Sequence, residues 1–267
     1  MLKDITLGQF FPGNTIVHRL DPRTKILAVI LYIVALFSAD SVLTYVLAAA
    51  VLALCILVSK VPFKSLTKGL KPILIIVIFT AVMNLFFTKG TAICDVGLLR
   101  HLTWEGLAAA AKMMVRIVML IMGTFLLTYT TSPISLTDGL ESLLGFLKKI
   151  KVPVHELSMM MSIALRFIPT LIEETDKIMK AQIARGADFE NGNLIQKAKN
   201  MVPLLVPLFI SAFRRANDLA MAMEARCYHG GEHRTQMKPL HYEKRDRMAY
   251  LLMAVYMIAI CVLRGVM

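Results

Sequence analysis

Two arginines of this sequence have nearly the same neighbours, a small residue on each side. The first lies in Ala184, Arg185 and Gly186, at the end of "MKAQIARG", and the second in Ala225, Arg226 and Cys227, at the end of "MAMEARC". A guanidinium group with little bulk beside it can enter a groove and form a bidentate pair with a buried carboxylate. A cation at a helix C-terminus is also favoured by the helix macrodipole, so a purely structural role stays open. If the role is recognition, two copies predict a partner with two similar grooves.

The residues offer little for bond chemistry. His229 and His233 have the i, i+4 spacing of a helical metal pair, with Glu232 between them, but Gly230 and Gly231 break the helix that this spacing requires. No Gly-rich phosphate loop ending in Lys-Ser/Thr is present, and no Ser/His/Asp set or paired carboxylates fall on a plausible face. We therefore predict no catalytic residue, no metal site and no cofactor bound by the chain itself.

The composition indicates a membrane protein. Of 267 residues 57% are hydrophobic and 18% are charged, and the mean hydropathy is +0.65, which is more apolar surface than a soluble domain of this size buries. The net charge of +12 comes from basic residues concentrated in particular segments, with few aromatic residues interleaved. This pattern favours orientation by the lipid bilayer over binding of nucleic acid.

Five apolar stretches predict an all-α membrane protein with about five spans. Loops rich in Lys and Arg stay in the cytoplasm, and here the segment before Ile26 has four, residues 60–71 have four and residues 132–247 have seventeen. These counts predict a cytoplasmic N-terminus and an N-terminal membrane region over residues 1–131. They also predict a cytoplasmic helical region over 132–247 and a last transmembrane helix in 248–267. The predicted spans are 26–38, 42–58, 72–87, 106–130 and 248–263.

Lys112 and Arg116 lie four residues apart in the fourth predicted span, and therefore on one helical face. An unpaired cation inside the hydrocarbon is costly and is a candidate functional site by default. The alternative is that both side chains extend to the outer interface, as long cationic side chains near a span end commonly do.

Two long helices are predicted in the cytoplasmic region, over residues 155–186 and 193–231. Both show an apolar face with helical periodicity, and Gly186 and Gly230–Gly231 provide the stops. In the second helix Ala212, Ala216 and Ala220 recur every four residues. Small residues at this spacing allow another helix to approach closely, so we expect the two helices to cross near this stripe, although alanine is also simply a good helix former.

Three segments resemble one known family. They are "GQFFPGNTIVHRLDPRTKI" at 8–26, "LRFIPTLIEETDKIMKAQIARG" at 165–186 and "AFRRANDLAMAMEARCYHGGEHRT" at 212–235. The chain is similar, nearly end to end, to the transmembrane T components of energy-coupling factor transporters, which are importers of the ABC class. Ala184, Arg185 and Gly186 match the family's first coupling motif in full. Ala225 and Arg226 match the second, where Cys227 replaces a glycine.

This resemblance implies a non-catalytic scaffold. In the family, the two motifs dock on two ABC-type ATPase subunits, and the crossing helices transmit ATP-driven motion to a membrane-embedded S component that binds a vitamin or another micronutrient. The eighteen methionines would suit a surface that repacks against several S components, or they are ordinary helix packing.

Three other functions compete with this one. An integral membrane enzyme would need a polar catalytic cluster at membrane depth, where only Lys112 and Arg116 are found. A self-contained secondary transporter would show internal repeats with broken helices, and none is visible. A dedicated T component with a single S component, for cobalt or nickel, stays open.

Overall fold

The computed structural model of the chain describes residues 10–87, 103–189, 193–231, 237 and 239–266. This part of the chain forms helices joined by turns and contains no β-strand, which confirms the all-α prediction. The helices are α1 Pro22–Ser38, α2 Val42–Ser59, α3 Phe63–Phe87, α4 Trp104–Thr130, α5 Pro133–Leu143, a 3-10 helix Leu144–Ile150, α6 Val154–Ala184, α7 Leu194–Ala225 and α8 Lys244–Val266.

The chain divides into two compact units. The bundle unit comprises residues 9–139 and 240–267 and therefore contains α1 to α4, most of α5, and α8. The arm unit includes residues 140–239 and contains the 3-10 helix, α6 and α7. Both arginine motifs belong to the arm unit.

The bundle unit is built around α4, which packs against α1, α2 and α3. One buried cluster joins α1, α2 and α4, and a second joins the start of α3 to the end of α4. Local capping explains where the helices begin: Asp21, Ser41 and Thr103 are the N-caps of α1, α2 and α4, and each side chain accepts a backbone N–H of the first turn.

A buried polar network ties the ends of α1, α4 and α8 together. Lys25, 5% exposed, donates from Nζ to the carbonyls of His18 and Thr130, both at 2.9 Å. Asp246, 1% exposed, accepts from the backbone N–H of Asp21 at 2.9 Å. Because each buried charged group has hydrogen-bond partners, the helix ends are held in one arrangement.

Within the described part of the chain, four helices are long and apolar enough to span a membrane: α2, residues 63–85 of α3, α4, and residues 244–264 of α8. The chain is therefore a multi-pass membrane protein. The predicted first span corresponds to α1, which has 17 residues against the roughly 20 that a perpendicular span needs. That α1 spans the membrane stays a prediction.

Two helix boundaries differ from the sequence interpretation. Helix α3 begins at Phe63, nine residues before the predicted start at Pro72. Pro72 lies inside the helix, where a proline removes one backbone hydrogen bond, but the helix continues on both sides of it. Helix α7 ends at Ala225 and not at Gly230–Gly231. The cause is the left-handed backbone of Cys227, described below.

Candidate functional site

The first motif, Ala184, Arg185 and Gly186, forms the end of α6 and is called the first tip. The N–H of Gly186 donates to the carbonyl of Ile183 at 2.9 Å, and the N–H of Ala187 donates to that of Gln182 at 3.0 Å. These two bonds, with Gly186 at a φ of 86°, define a Schellman cap, which satisfies carbonyls that a helix end otherwise leaves open.

The second motif, Ala225, Arg226 and Cys227, forms the end of α7 and is called the second tip. The N–H of Cys227 donates to the carbonyl of Glu224 at 2.8 Å, and the N–H of Tyr228 donates to that of Met223 at 3.0 Å. The pattern of bonds is the same as at the first tip. Each arginine is therefore the C-cap residue, immediately before a left-handed residue.

The left-handed residue differs between the tips. Gly186 adopts its φ of 86° without a Cβ penalty, whereas Cys227 has a φ of 56°, a conformation that costs an L-residue roughly 1–2 kcal/mol. Sequence reasoning noted that a small side chain follows both arginines. It did not find that a left-handed cap requires glycine-like freedom there.

Both tips are exposed on the chain. Arg185 and Arg226 are exposed, as are Ala184 and Ala225 beside them. Neither guanidinium forms an ion pair with any residue that the structure describes. Both arginines can therefore form new bidentate contacts with a partner.

Helices α6 and α7 pack against each other in opposite directions. The carboxylate of Glu174 accepts hydrogen bonds from Ser211 and from Arg215, and Gln182 donates to the carbonyl of Pro203 at 3.3 Å. The residue number of the α7 partner falls as that of the α6 residue rises, so the two helices run antiparallel at this contact. The hydrogen bond from Ser211 and then the Arg215 guanidinium lower the pKa of Glu174.

This antiparallel contact places the tips far apart. Arg185 follows Gln182 closely and therefore lies near Pro203, whereas Arg226 is 23 residues further along α7. At 1.5 Å per residue, the two arginines are separated by a distance on the order of 30 Å. A single small groove cannot accept both.

The two tips have different supports inside the arm unit. Beyond the first tip, Asn200 donates to the carbonyl of Asp188 at 2.6 Å, and a Cβ added at Gly186 would meet nothing within 4 Å. Beyond the second tip, Gly231 packs directly on the His155 ring, whose Nδ1 lies 2.8 Å from Glu141 Oε1. The second tip is thus connected to the start of α6, and sequence reasoning missed this connection.

The alanine stripe is partly covered. Ala212 is half-buried and Ala216 and Ala220 are exposed, so a crossing at the stripe stays a prediction. Ala212 lines an apolar groove of about 480 Å³ between α6 and α7, whose other walls are Leu171 of α6 and a run of α7 side chains: Leu205, Val206, Leu208, Phe209 and Ile210. Leu205 and Phe209 are 52% and 65% exposed.

Lys112 and Arg116 of the bundle unit contact the α1–α2 turn. Lys112 Nζ donates to the carbonyl of Asp40 at 3.2 Å. Arg116 donates to the carbonyl of Ala39 at 3.0 Å and to Tyr45 Oη at 2.9 Å. Helix α4 begins at Trp104, eight residues before Lys112. The side chains of Lys112 and Arg116 therefore lie beside the polar α1–α2 turn and not at the start of α4.

The described residues contain no group of three or more His, Cys, Asp or Glu side chains arranged for a metal. His229 lies in the loop after α7, and its Nδ1 is 2.9 Å from the Cys227 carbonyl. His233 lies outside the described residues.

Comparison with known proteins finds relatives over nearly the full length of the chain. The family model described as "Cobalt transport protein" (CbiQ) matches residues 13–237. Proteins named energy-coupling factor transporter transmembrane protein EcfT are 59% identical in Clostridium kluyveri (94% of this chain, 93% of the relative), 55% in Thermosediminibacter oceani (94% of each) and 50% in Bacillus subtilis (92% and 93%). The chain therefore belongs to the family of transmembrane T components of energy-coupling factor transporters.

Proposed function

We propose that the chain is the non-catalytic coupling scaffold of its transporter, in which the first and second tips dock on two ABC-type ATPase subunits. The observation that supports this most directly is the repeated Schellman cap with an exposed arginine at each C-cap position. A helix macrodipole alone would favour a cation near each helix end, but it would not require the same cap, the same flanking alanine and the same exposure twice.

The distance between the tips supports two ATPase subunits. Arg185 and Arg226 are separated by a distance on the order of 30 Å along α7. ATP-driven closure of two ATPases would change the separation of their grooves. Because α6 and α7 are rigid helices joined by the contacts of Glu174, motion at one end is transmitted along the arm unit.

The apolar groove of the arm unit supports an S component as the other partner. Its walls expose Leu205, Val206 and Phe209 by about half or more, although α7 does not qualify as a candidate span. A membrane-embedded subunit would cover this surface with apolar side chains. Motion of α6 and α7 would then move the S component directly.

Orientation follows from the loop charges. Seventeen Lys and Arg residues between 132 and 247 favour a cytoplasmic arm unit, and the four before Ile26 favour a cytoplasmic N-terminus. The transported substrate would be a vitamin or another micronutrient chosen by the S component. The alternative is a dedicated T component with one S component for cobalt or nickel, which the description of the matching family model favours.

The docking of ATPases is tested by co-purification. The tagged variant Arg185→Ala/Arg226→Ala should enter the membrane normally and lose most of the ATPase subunits that co-purify with the parent chain, because both bidentate contacts are removed. The matched control is Arg166→Ala/Arg214→Ala, which removes one exposed arginine from each of the same helices away from the tips. Equal ATPase recovery with the tip variant and the control would contradict the proposal.

The S component is tested with a second pair of variants. Leu205→Ser/Phe209→Ser should reduce recovery of small membrane proteins while the ATPases still co-purify, because only the groove is altered. Met221→Ser, on the same helix and 62% exposed but outside the groove, is the control. The recovered membrane proteins are then identified. Several different S components would indicate a shared scaffold, and a single kind of S component would indicate a dedicated one.

A further inference from the structure

A pocket of about 350 Å³ lies beside α4, in the bundle unit, at the level of the α1–α2 turn. Its lining combines Lys112 and Arg116 with apolar side chains that include Phe37, Ile117 and Leu120. Phe37 is 62% exposed, so the pocket is open at the surface of the unit. The transport function described above uses neither of the two cations.

The pocket has an excess of positive charge. Lys112 and Arg116 donate to backbone carbonyls and to a tyrosine hydroxyl, and neither is paired with a carboxylate among the described residues. Asp40, the acidic residue of the α1–α2 turn, has its Oδ2 3.9 Å from Arg264 Nε. Among the described residues that contact the α1–α2 turn, the cations Lys112, Arg116 and Arg264 therefore outnumber the carboxylate of Asp40.

Along α4, the two cations of the pocket precede its apolar residues Ile117 and Leu120. Ile117 and Leu120 follow Lys112 by five and eight residues of α4, which places them ~7 to ~12 Å further along the helix. That direction leads into the longest apolar part of the span, towards Thr130. A positively charged layer above an apolar slot has the same order as the phosphate and acyl chain of a lipid.

We propose that this pocket binds an anionic phospholipid, with the phosphate between Lys112 and Arg116 and an acyl chain along Phe37, Ile117 and Leu120. Charge-assisted contacts between a cation and a phosphate are among the strong hydrogen bonds of proteins. A zwitterionic lipid carries the same phosphate together with a compensating ammonium group. The uncompensated charge of the pocket therefore selects the anionic class.

The test uses the full chain in detergent, analysed by native mass spectrometry with phosphatidylglycerol or phosphatidylcholine of identical acyl chains. The parent chain should bind phosphatidylglycerol in preference. Lys112→Gln should lower that binding about fivefold, the effect of losing one charge-assisted contact. Glutamine keeps an amide donor for the Asp40 carbonyl, so the turn is preserved. Lys68→Gln, an exposed lysine of α3 outside the pocket, should bind like the parent.

A second variant changes the space in the pocket and leaves its two cations in place. Ala109 lines the pocket three residues before Lys112 and is half-buried, so Ala109→Leu narrows the pocket beside the cations while both cations remain. It should also lower binding of phosphatidylglycerol. Three results would each overturn the proposed site. The parent could bind the two lipids equally, or Lys112→Gln or Ala109→Leu could keep the parent's preference for phosphatidylglycerol. The control Lys68→Gln could also lose as much binding of phosphatidylglycerol as Lys112→Gln.

Discussion

The first and second tips end two different helices with the same hydrogen bonds, yet they are stabilised differently. At the first tip a glycine occupies the left-handed position, and open space surrounds it. At the second tip a cysteine occupies that position, and the following loop packs on His155 through Gly231. The first cap is thus favourable by local conformation alone, whereas the second combines an unfavourable local conformation with a tertiary contact.

The comparison shows that one cap geometry can be obtained in two ways. A glycine makes the cap without help from the rest of the fold. A cysteine with a φ of 56° persists because neighbouring structure determines it. We therefore expect substitutions at the first tip to act locally and substitutions around the second tip to act through α6.

The largest effect is expected at Gly186. Gly186→Val places a β-branched residue at a φ of 86°, which should destabilise the end of α6 by about 2 kcal/mol. Amide hydrogen exchange at Gln182 to Ala187 should accelerate correspondingly. Gly145→Val is the control, since Gly145 also has open space but no left-handed backbone. Equal exchange in the two variants would show that the cap does not depend on conformation.

Gly231→Ala should weaken the second tip alone. An added Cβ would collide with the His155 ring, and overpacking of this kind costs about 1–2 kcal/mol. Hydrogen exchange at Arg226 to Tyr228 should increase, while exchange at the first tip stays unchanged. Gly145→Ala, with no atom within 4 Å of the new Cβ, is the control. Unchanged exchange at the second tip would mean that His155 does not support it.

Cys227→Gly should stabilise the second tip by about 1 kcal/mol, because glycine adopts the left-handed conformation without penalty. Exchange of the Tyr228 amide, which donates to the Met223 carbonyl, should slow accordingly. Cys227→Ala removes the thiol and keeps the backbone penalty, so it should behave like the parent. The same slowing in both variants would assign the effect to the thiol.

The smallest effect concerns the contact between α6 and α7. Ser211 and Arg215 lower the pKa of Glu174 in the folded state below its ordinary value of 4.5. The charged carboxylate therefore stabilises the folded state at any pH above 4.5, and this stabilisation is lost as the pH falls through the lowered pKa. Lowering the pH below the ordinary value should therefore loosen the contact, seen as faster amide hydrogen exchange in the segments around Glu174 and Ser211. Glu174→Gln should remove that pH dependence. A variant that responds to acid like the parent would exclude Glu174 as its cause.

Much of the fold followed from local sequence signals. Apolar length predicted the helices of the bundle, and Gly186 predicted the end of α6, because these signals act within one or two turns. The boundaries that differed, at Phe63 and Ala225, depended on a proline tolerated inside a helix and on a left-handed cysteine. Neither can be inferred from residue type alone.

The sequence by itself determined the two arginine tips, their small neighbours and the apolar content that requires a membrane, since each depends on residues within a few positions of one another. Only the tertiary structure decided that Glu174 contacts Ser211 and Arg215, that Gly231 packs on His155, and that Lys112 and Arg116 meet the α1–α2 turn. These contacts join residues 37 to 77 positions apart. They arise from how the helices pack, and helix packing is set by the side chains of the whole unit rather than by any one segment.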